Sequence, residues 1–125
     1  MARRPQRILL LAEDDVLARN LMRHGLERAG FLVFAAANGF EALELSQAVP
    51  GRIDVLLADM DMPHWSGISL AWQVKGERPE TLIVMMSDRA PNVIESDGMV
   101  FLPKINEPAL ILRMLEDLFG ARADH

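Results

Sequence analysis

Five continuous apolar runs recur along the chain, each too short to span a bilayer. They cover residues 8–12, 32–36, 55–58, 82–86 and 100–102. Continuous apolar runs of this length are typical of strands buried on both faces. Longer amphipathic stretches separate the runs and predict helices over 16–29, 39–49, about 67–75, and 107–119. The alternation predicts an α/β fold: a doubly wound, five-stranded parallel sheet with helices on both faces.

The interval between the fourth and fifth runs breaks this alternation. Residues 88–99 are mostly polar, and only residues 92–96 have a composition that permits a single helical turn. The fourth crossover helix is therefore predicted to be shortened or missing.

Apolar faces and capping residues define the first and last predicted helices. In the first, Asp15 is placed to cap the start and Gly30 to end the helix in a left-handed conformation. Six residues of this helix are predicted to share the core-facing side: Leu17, Ala18, Leu21, Met22, Gly25 and Ala29. The corresponding stripe of the last helix is Leu110, Ile111, Met114, Leu115 and Leu118. Leu112 and Phe119 fall outside that stripe, which indicates either a wide buried face or contact with a partner or a second copy.

Length, charge and cysteine content exclude several classes of protein. With 125 residues, we expect one domain over 1–125, with a core over about 7–119 and no output domain. The net charge of −5 argues against direct binding of nucleic acid. The absence of cysteine excludes disulfides and thiolate sites. No signal peptide is recognisable, so a cytoplasmic location without membrane insertion is expected.

Charged and polar residues follow four of the five apolar runs. Because parallel strands end at the same edge of the sheet, these residues should meet in one crevice. They are Glu13, Asp14 and Asp15 after the first run, Asp59 and Asp61 after the third, Ser87 and Asp88 after the fourth, and Lys104 after the fifth.

Clustered carboxylates repel one another, so they stay ionised only when a cation joins them. A small set of oxygen ligands favours Mg²⁺ over zinc. A carboxylate beside Mg²⁺ is a plausible nucleophile toward phosphorus, and a lysine and a hydroxyl can bind phosphoryl oxygens. The pattern therefore suggests phosphoryl transfer to an aspartate.

Six segments, taken together and in this order, resemble the receiver domains of two-component response regulators. The resemblance covers residues 7 to about 119. The matching segments are 8–15, 38–43, 54–63, 66–67, 86–87 and 101–104. It implies a flavodoxin-like sheet with strand order 2-1-3-4-5.

The resemblance also implies a role for each site residue. Asp59 matches the phosphoacceptor. Glu13 and Asp14 match the acidic pair that holds Mg²⁺ together with Asp59, and Asp61 matches the position whose backbone carbonyl completes the metal shell. Ser87 and Lys104 match the hydroxyl residue and the lysine that bind the phosphoryl group. Phe101 matches the aromatic residue whose ring turns inward when that hydroxyl moves.

As a member of this family, the chain would act as a stand-alone response regulator rather than as an enzyme, with at most slow self-dephosphorylation. A sensor histidine kinase or phosphotransfer protein would phosphorylate it. It would then act on a downstream protein target, with a homodimer as a further possibility.

Three features depart from the family pattern. Ile105 follows Lys104 where proline is usual, and a trans peptide is predicted there because a cis bond before a non-proline residue costs about 2.5–4 kcal/mol. Asp88 replaces a small residue and adds negative charge beside the incoming phosphoryl group. The short fourth helix suggests that output uses a different face.

Two alternative functions remain open at this stage. Ile105 and Asp88 are compatible with a degenerate receiver that binds partners without phosphorylation. The motif Asp59-Met60-Asp61 also fits the D-x-D core of haloacid-dehalogenase-type phosphatases, although those proteins carry the motif after their first strand. Trp65, in the loop after Asp59, is interpreted as a lid, a partner contact or simple packing, and Trp72 as packing.

Overall fold

A computed structural model describes residues 6–63, 65–90 and 92–123. The strands are β1 (Ile8–Ala12), β2 (Leu32–Ala36), β3 (Val55–Asp59), β4 (Leu82–Ser87), β5 (Ile94–Ser96) and β6 (Met99–Pro103). The helices are α1 (Val16–Arg28), α2 (Gly39–Ala48), α3 (Gly67–Glu77) and α4 (Pro108–Ala123). All five predicted strands are present, and the fifth of them corresponds to β6.

The strands form one sheet in the order β2-β1-β3-β4-β6-β5. The first five strands in this order pair in parallel, and β5 pairs antiparallel with β6. The α/β, flavodoxin-like architecture and the strand order predicted for the parallel strands are therefore confirmed. The predicted count of five strands is wrong by one, because an antiparallel strand is added at the edge.

The connection from β4 to β6 contains no helix within the residues described, so the prediction that the fourth helix is shortened or missing is confirmed. Residues 94–96 are extended, and the predicted helical turn over 92–96 is wrong. Asp97 and Gly98 have φ values of 55° and 76° and join β5 to β6 in a two-residue hairpin. This geometry is a type I′ turn, for which Asp-Gly is a strong sequence signal. The antiparallel strand β5 therefore takes the place of a crossover helix and leads the chain to the start of β6.

Two hydrophobic cores lie on opposite faces of the sheet. Alternating strand residues point to opposite faces, so Leu9 and Leu11 belong to one core and Leu10 to the other. The first core is closed by α1 and α4, through Met22, Leu26, Ile111 and Leu115. The second core is closed by α2 and α3, through Ala42, Leu70, Ala71 and Val74. The strands therefore place their carboxyl ends at one edge, between two packed layers.

The core-facing side of α1 is narrower than predicted. Met22 and Leu26 are buried, whereas Leu17 is 82% exposed and Leu21 is 50% exposed. At 100° per residue, Leu21 and Leu17 lie about 100° and 140° from Met22, too far round the helix to reach the sheet. Gly25 faces Pro108 of α4, and a Cβ at this position would overlap the proline ring.

The apolar side of α4 is wide and mostly buried. Ile111 and Leu115 are fully buried, and Leu112 and Phe119 pack partly buried against the same core. Leu112 and Phe119 therefore belong to the core and do not form a separate surface. Leu110, which was predicted to face the core, is 42% exposed.

No helix among the described residues is long and apolar enough to cross a bilayer.

The two tryptophans differ from each other in environment. Trp72 is 50% exposed on α3, so the prediction that it is packed is wrong. Trp65 packs against the second core and stacks on Phe40, with ring centroids 5.2 Å apart. Gly39, at the start of α2, allows this stack, because a Cβ there would lie 2.9 Å from the indole ring.

Candidate functional site

Asp59 is the last residue of β3 and is only 2% exposed. The backbone around it is held on both sides. The Met60 N–H donates to the Met86 carbonyl of β4 at 2.9 Å, and the Gly67 N–H donates to the Met60 carbonyl at 3.2 Å. Gly67 is required at the start of α3, because a Cβ there would overlap the Asp59 carbonyl and lie 2.9 Å from the Met60 Cα.

Two donors hold the carboxylate of Asp59. The Lys104 Nζ lies 2.7 Å from Oδ2, and the backbone N–H of Asp61 donates to Oδ1 at 2.9 Å. The side chain of Asp61 itself is exposed. The carboxylate is therefore oriented by one ammonium and one amide, one on each oxygen.

Lys104 is positioned by the end of β4 and pairs with a second carboxylate. Its backbone N–H donates to the Ser87 carbonyl at 3.0 Å, and its Nζ lies 3.4 Å from Glu13 Oε1. The hydrogen bond to Asp59 is the main cause that raises the pKa of Lys104, and burial of the ammonium partly opposes this increase. The side chain is thus a fixed cation between two buried carboxylates.

Glu13 follows β1 and is 2% exposed. Its backbone N–H donates to the Ala36 carbonyl of β2 at 3.0 Å, and its Oε2 accepts the Asp15 N–H at 3.1 Å. Burial raises the pKa of Glu13, and the hydrogen bond from Asp15 partly offsets that increase. The negative charge of Asp59 raises this pKa further, whereas Lys104 lowers it.

Asp14 is exposed and completes the acidic group at the mouth of the crevice. Carboxylate oxygens of Glu13, Asp14 and Asp59 all lie within 4.8 Å of one another. By contrast, the Asp15 Oδ1 accepts the Ala18 N–H at 3.0 Å, so this residue caps α1 as predicted. Three acidic residues, Glu13 and Asp14 after β1 and Asp59 at the end of β3, therefore form the carboxylate cluster, and Asp15 lies outside it.

The three clustered carboxylates have the donor chemistry that Mg²⁺ requires. They offer hard oxygen ligands, two from buried residues and one from an exposed residue, with an opening toward solvent. A divalent cation beside these groups would favour the ionised form of Glu13, whose pKa is raised mainly by burial. The cluster thus fits a divalent cation.

Ser87 ends β4 and lies beside this group rather than in it. It is 6% exposed, and its Oγ accepts the Arg89 N–H at 3.1 Å. Its backbone carbonyl, which accepts from Lys104, is the link to the carboxylates. Asp88, the next residue, is exposed.

Phe101 lies two residues along β6 from its start and is half-buried. It packs against the second core and is paired with Met85 on one side and with Ile94 of β5 on the other. The peptide between Lys104 and Ile105 is trans, as predicted. The Ile105 side chain packs against the first core.

The predicted residues thus separate into two groups. Glu13, Asp14, Asp59 and Lys104 form the charged centre, which Asp61 joins through its backbone N–H, whereas Ser87 and Phe101 lie on the neighbouring strands β4 and β6. Sequence reasoning missed Arg19, whose guanidinium donates to the Glu13 carbonyl at 2.9 Å and holds the acidic loop against α1. A single arginine on a helix carries no pattern that would have revealed this contact.

The family model for the response regulator receiver domain matches residues 9–116. Among curated proteins, the sensor kinase CckA of Brucella abortus is 30% identical over 101 residues, which is 77% of this chain and 11% of that protein. The chain spans between 11% and 35% of the length of the first curated relatives it matches.

Solved structures share the fold over nearly the whole chain. The Vibrio cholerae chemotaxis protein CheY4 superposes with a TM-score of 0.75 at 26% identity, covering 90% of this chain and 98% of that one. The Thermotoga maritima response regulator TrrA, solved with Mg²⁺ and beryllofluoride, has a TM-score of 0.74 at 23% identity. This second match covers 91% of this chain and 99% of the other, and it shows the fold alone.

Proposed function

Because this chain belongs to the response regulator receiver domain family, we propose that it accepts a phosphoryl group on Asp59. The observation that carries this proposal is the environment of the Asp59 carboxylate. It is buried at a strand end, held by Lys104 and the Asp61 N–H, and bordered by Glu13 and Asp14. A carboxylate fixed in this way is oriented for attack on phosphorus.

Mg²⁺ would be held by the carboxylates of Glu13, Asp14 and Asp59, together with the backbone carbonyl of Asp61. When bound, it would neutralise negative charge on the phosphoryl oxygens and on the acidic residues. The oxygen donor set supports this assignment, and the Mg²⁺ complex of the related fold in TrrA is consistent with it.

The transfer itself requires one nucleophile and one stabilising cation from the protein. A carboxylate oxygen of Asp59 forms a bond to phosphorus while the bond from phosphorus to the donor histidine nitrogen breaks. The electron pair of the broken bond stays on the imidazole, which takes up a proton. Lys104 stays within reach of the phosphoryl oxygens and compensates their charge.

Ser87 and Phe101 would then report the modification to the surface. The Ser87 hydroxyl is free to donate a hydrogen bond to a phosphoryl oxygen, since in the unmodified chain it accepts from Arg89. Movement of this strand end would act on β6, to which it is joined through Lys104. Phe101 on β6 carries a half-buried ring that packs against the second core, and this ring would be the side chain that changes position.

The phosphoryl donor would be a sensor histidine kinase or a phosphotransfer protein. Similarity to part of a sensor kinase supports this class of partner. Stand-alone action, a downstream protein target, a homodimer and a cytoplasmic location all stay predictions. An immunoblot tests stand-alone action by comparing the size of the protein in its native host with that of the purified chain of 125 residues. A larger native protein would contradict stand-alone action.

Intact-mass spectrometry tests the proposal directly. The chain is incubated with acetyl phosphate and Mg²⁺, and we expect the gain of one phosphoryl group, lost when Mg²⁺ is chelated. Asp59→Asn should abolish the gain. Asp117→Asn is the matched control: it makes the same substitution on an exposed residue of α4, outside the site, and should retain phosphorylation.

The same samples separate the two alternatives. The degenerate receiver is supported if the chain is folded by circular dichroism but gains no phosphoryl group and binds no beryllofluoride. Steady turnover of p-nitrophenyl phosphate that depends on Asp61 would support the phosphatase, since that reaction needs the second aspartate as an acid.

A further inference from the structure

The edge strand β5 is the least covered part of the sheet. Its three residues are all exposed, and Ile94 and the preceding Val93 are 44% and 52% exposed. No helix covers this edge, because the described residues between β4 and β6 contain none. An uncovered edge with apolar residues is a surface on which another strand can pair.

The hairpin determines which backbone groups of β5 face outward. Ser96 and Met99 flank the two-residue turn, and in such a hairpin the flanking residues bond to each other. Bonding to the neighbouring strand alternates along an antiparallel pair, so Ile94 also bonds inward, to Phe101. The N–H and C=O of Glu95 therefore point away from the sheet and offer one donor and one acceptor to a further strand.

The two faces of this edge differ in chemistry. Ile94 lies directly opposite Phe101 and so shares the sheet face of the second core. Glu95 lies opposite Val100, on the face of the first core. Asp88 and Asp97 are also exposed in the same connection, which contains the cation Arg89, and the ammonium of Lys75 from α3 lies beside Gly98 at the turn. The edge is thus apolar on one face and acidic on the other.

This charge pattern indicates which kind of segment can pair with β5. A second copy paired about the centre of β5 would place Glu95 opposite Glu95, and like charges directly opposite each other destabilise a strand pair. A segment with a basic residue opposite Glu95 and an apolar residue opposite Ile94 satisfies both faces. We propose that β5 is a docking site for an extended, basic and apolar segment of a partner protein, which adds to the sheet as a seventh strand.

Phosphorylation of Asp59 would modulate this docking, a step that rests on the proposed function. Ile94 pairs with Phe101, and β6 is bonded to the end of β4 through Lys104 and Ser87. A change at the phosphoryl site therefore reaches β5 through one strand. The partner segment, by covering Ile94, would in turn favour one position of the Phe101 ring.

A short designed peptide serves as the probe. In the capped peptide Ac-TVKVT-NH2, an antiparallel alignment places Lys opposite Glu95 and a Val opposite Ile94. Titration into ¹⁵N-labelled protein should shift the amide signals of residues 93–97 and 100–102. The peptide Ac-TVEVT-NH2 should bind at least about threefold more weakly, because it replaces an attractive pair with a repulsive one.

Two variants of the protein make the test decisive. Glu95→Lys should reverse the preference between the two peptides. Glu95→Pro removes both the carboxylate and the outward-facing N–H of this residue but no hydrogen bond to β6, so it should abolish binding while leaving the hairpin signals of Met99 and Phe101 in place. Equal binding of both peptides to all three proteins, or shifts confined to another surface, would overturn the proposal. So would a dimer, measured by sedimentation, that Glu95→Pro disrupts.

The titration is repeated with Mg²⁺ and beryllofluoride. Binding to the unmodified chain depends on the edge alone, so it tests the docking site even where Asp59 accepts no phosphoryl group. A change in affinity with beryllofluoride supports the coupling, and unchanged affinity refutes the coupling but leaves the docking site supported.

Discussion

Replacement of Lys104 by Met should destabilise the fold in a way that Mg²⁺ reverses. The ammonium lies 2.7 Å from Asp59 and 3.4 Å from Glu13, and each of these carboxylate side chains is 2% exposed. Removing one partner of a buried ion pair costs about 3–5 kcal/mol. The Lys104 side chain is 19% exposed, so solvent reduces this figure, and we expect a loss of about 2–4 kcal/mol in the free energy of unfolding.

Urea denaturation in EDTA and in Mg²⁺ measures this loss. Mg²⁺ should stabilise the Lys104→Met variant more than the wild type, because the competing ammonium is gone; at a hundred times the Kd, binding supplies about 2.7 kcal/mol. Adding Asp59→Asn to the variant should recover part of the stability in EDTA, since one of the two unpaired charges is removed. Lys75→Met, at the other lysine of the chain, is the matched control.

The reasoning fails if Lys104→Met is no less stable than Lys75→Met in EDTA. It fails equally if Mg²⁺ stabilises the wild type and the Lys104 variant by the same amount, because the ammonium would then not compete with the cation for the carboxylates.

Three further predictions concern the stability of the fold. Gly67→Ala should destabilise the chain by about 1–3 kcal/mol, measured in urea, because its Cβ meets backbone, whereas Gly76→Ala on the same helix meets open space and should stabilise it by about 0.5–1 kcal/mol. Arg78→Lys should lower Tm nearly as much as Arg78→Ala, since one ammonium cannot replace a guanidinium that donates to three backbone carbonyls. Without Mg²⁺, stability should fall as pH rises above the ordinary Glu13 pKa of 4.5, because the raised pKa favours the protonated group in the folded chain; Glu13→Gln should flatten this slope in pH-dependent thermal melts.

The parallel strands and the charged centre could be predicted because they depend on local, periodic signals. Buried strands need continuous apolar runs, and the residues that follow them must meet at one edge. Asp59 and Lys104 were therefore placed together although 45 positions separate them in sequence. The contact between their side chains is the direct outcome of that topology.

The β5 hairpin was missed although its turn signal was present. The Asp97-Gly98 pair predicts a type I′ turn, but the flanking three-residue strand is too short and polar to show an alternating pattern. The exposed face of α1 was missed for a different reason. A helical projection gives the direction of each side chain, but it does not show how closely a neighbouring helix packs. In this protein Gly25 lets Pro108 of α4 lie directly against α1.

The most direct test of the central claim is to identify the phosphorylated residue. The chain is phosphorylated with acetyl phosphate and Mg²⁺, reduced with borohydride and digested, and the peptides are sequenced by mass spectrometry. Borohydride converts an aspartyl phosphate to homoserine, and we predict this conversion at Asp59 alone. Homoserine at Asp14, Asp61 or Asp88 instead, or at none of the aspartates, would contradict the account.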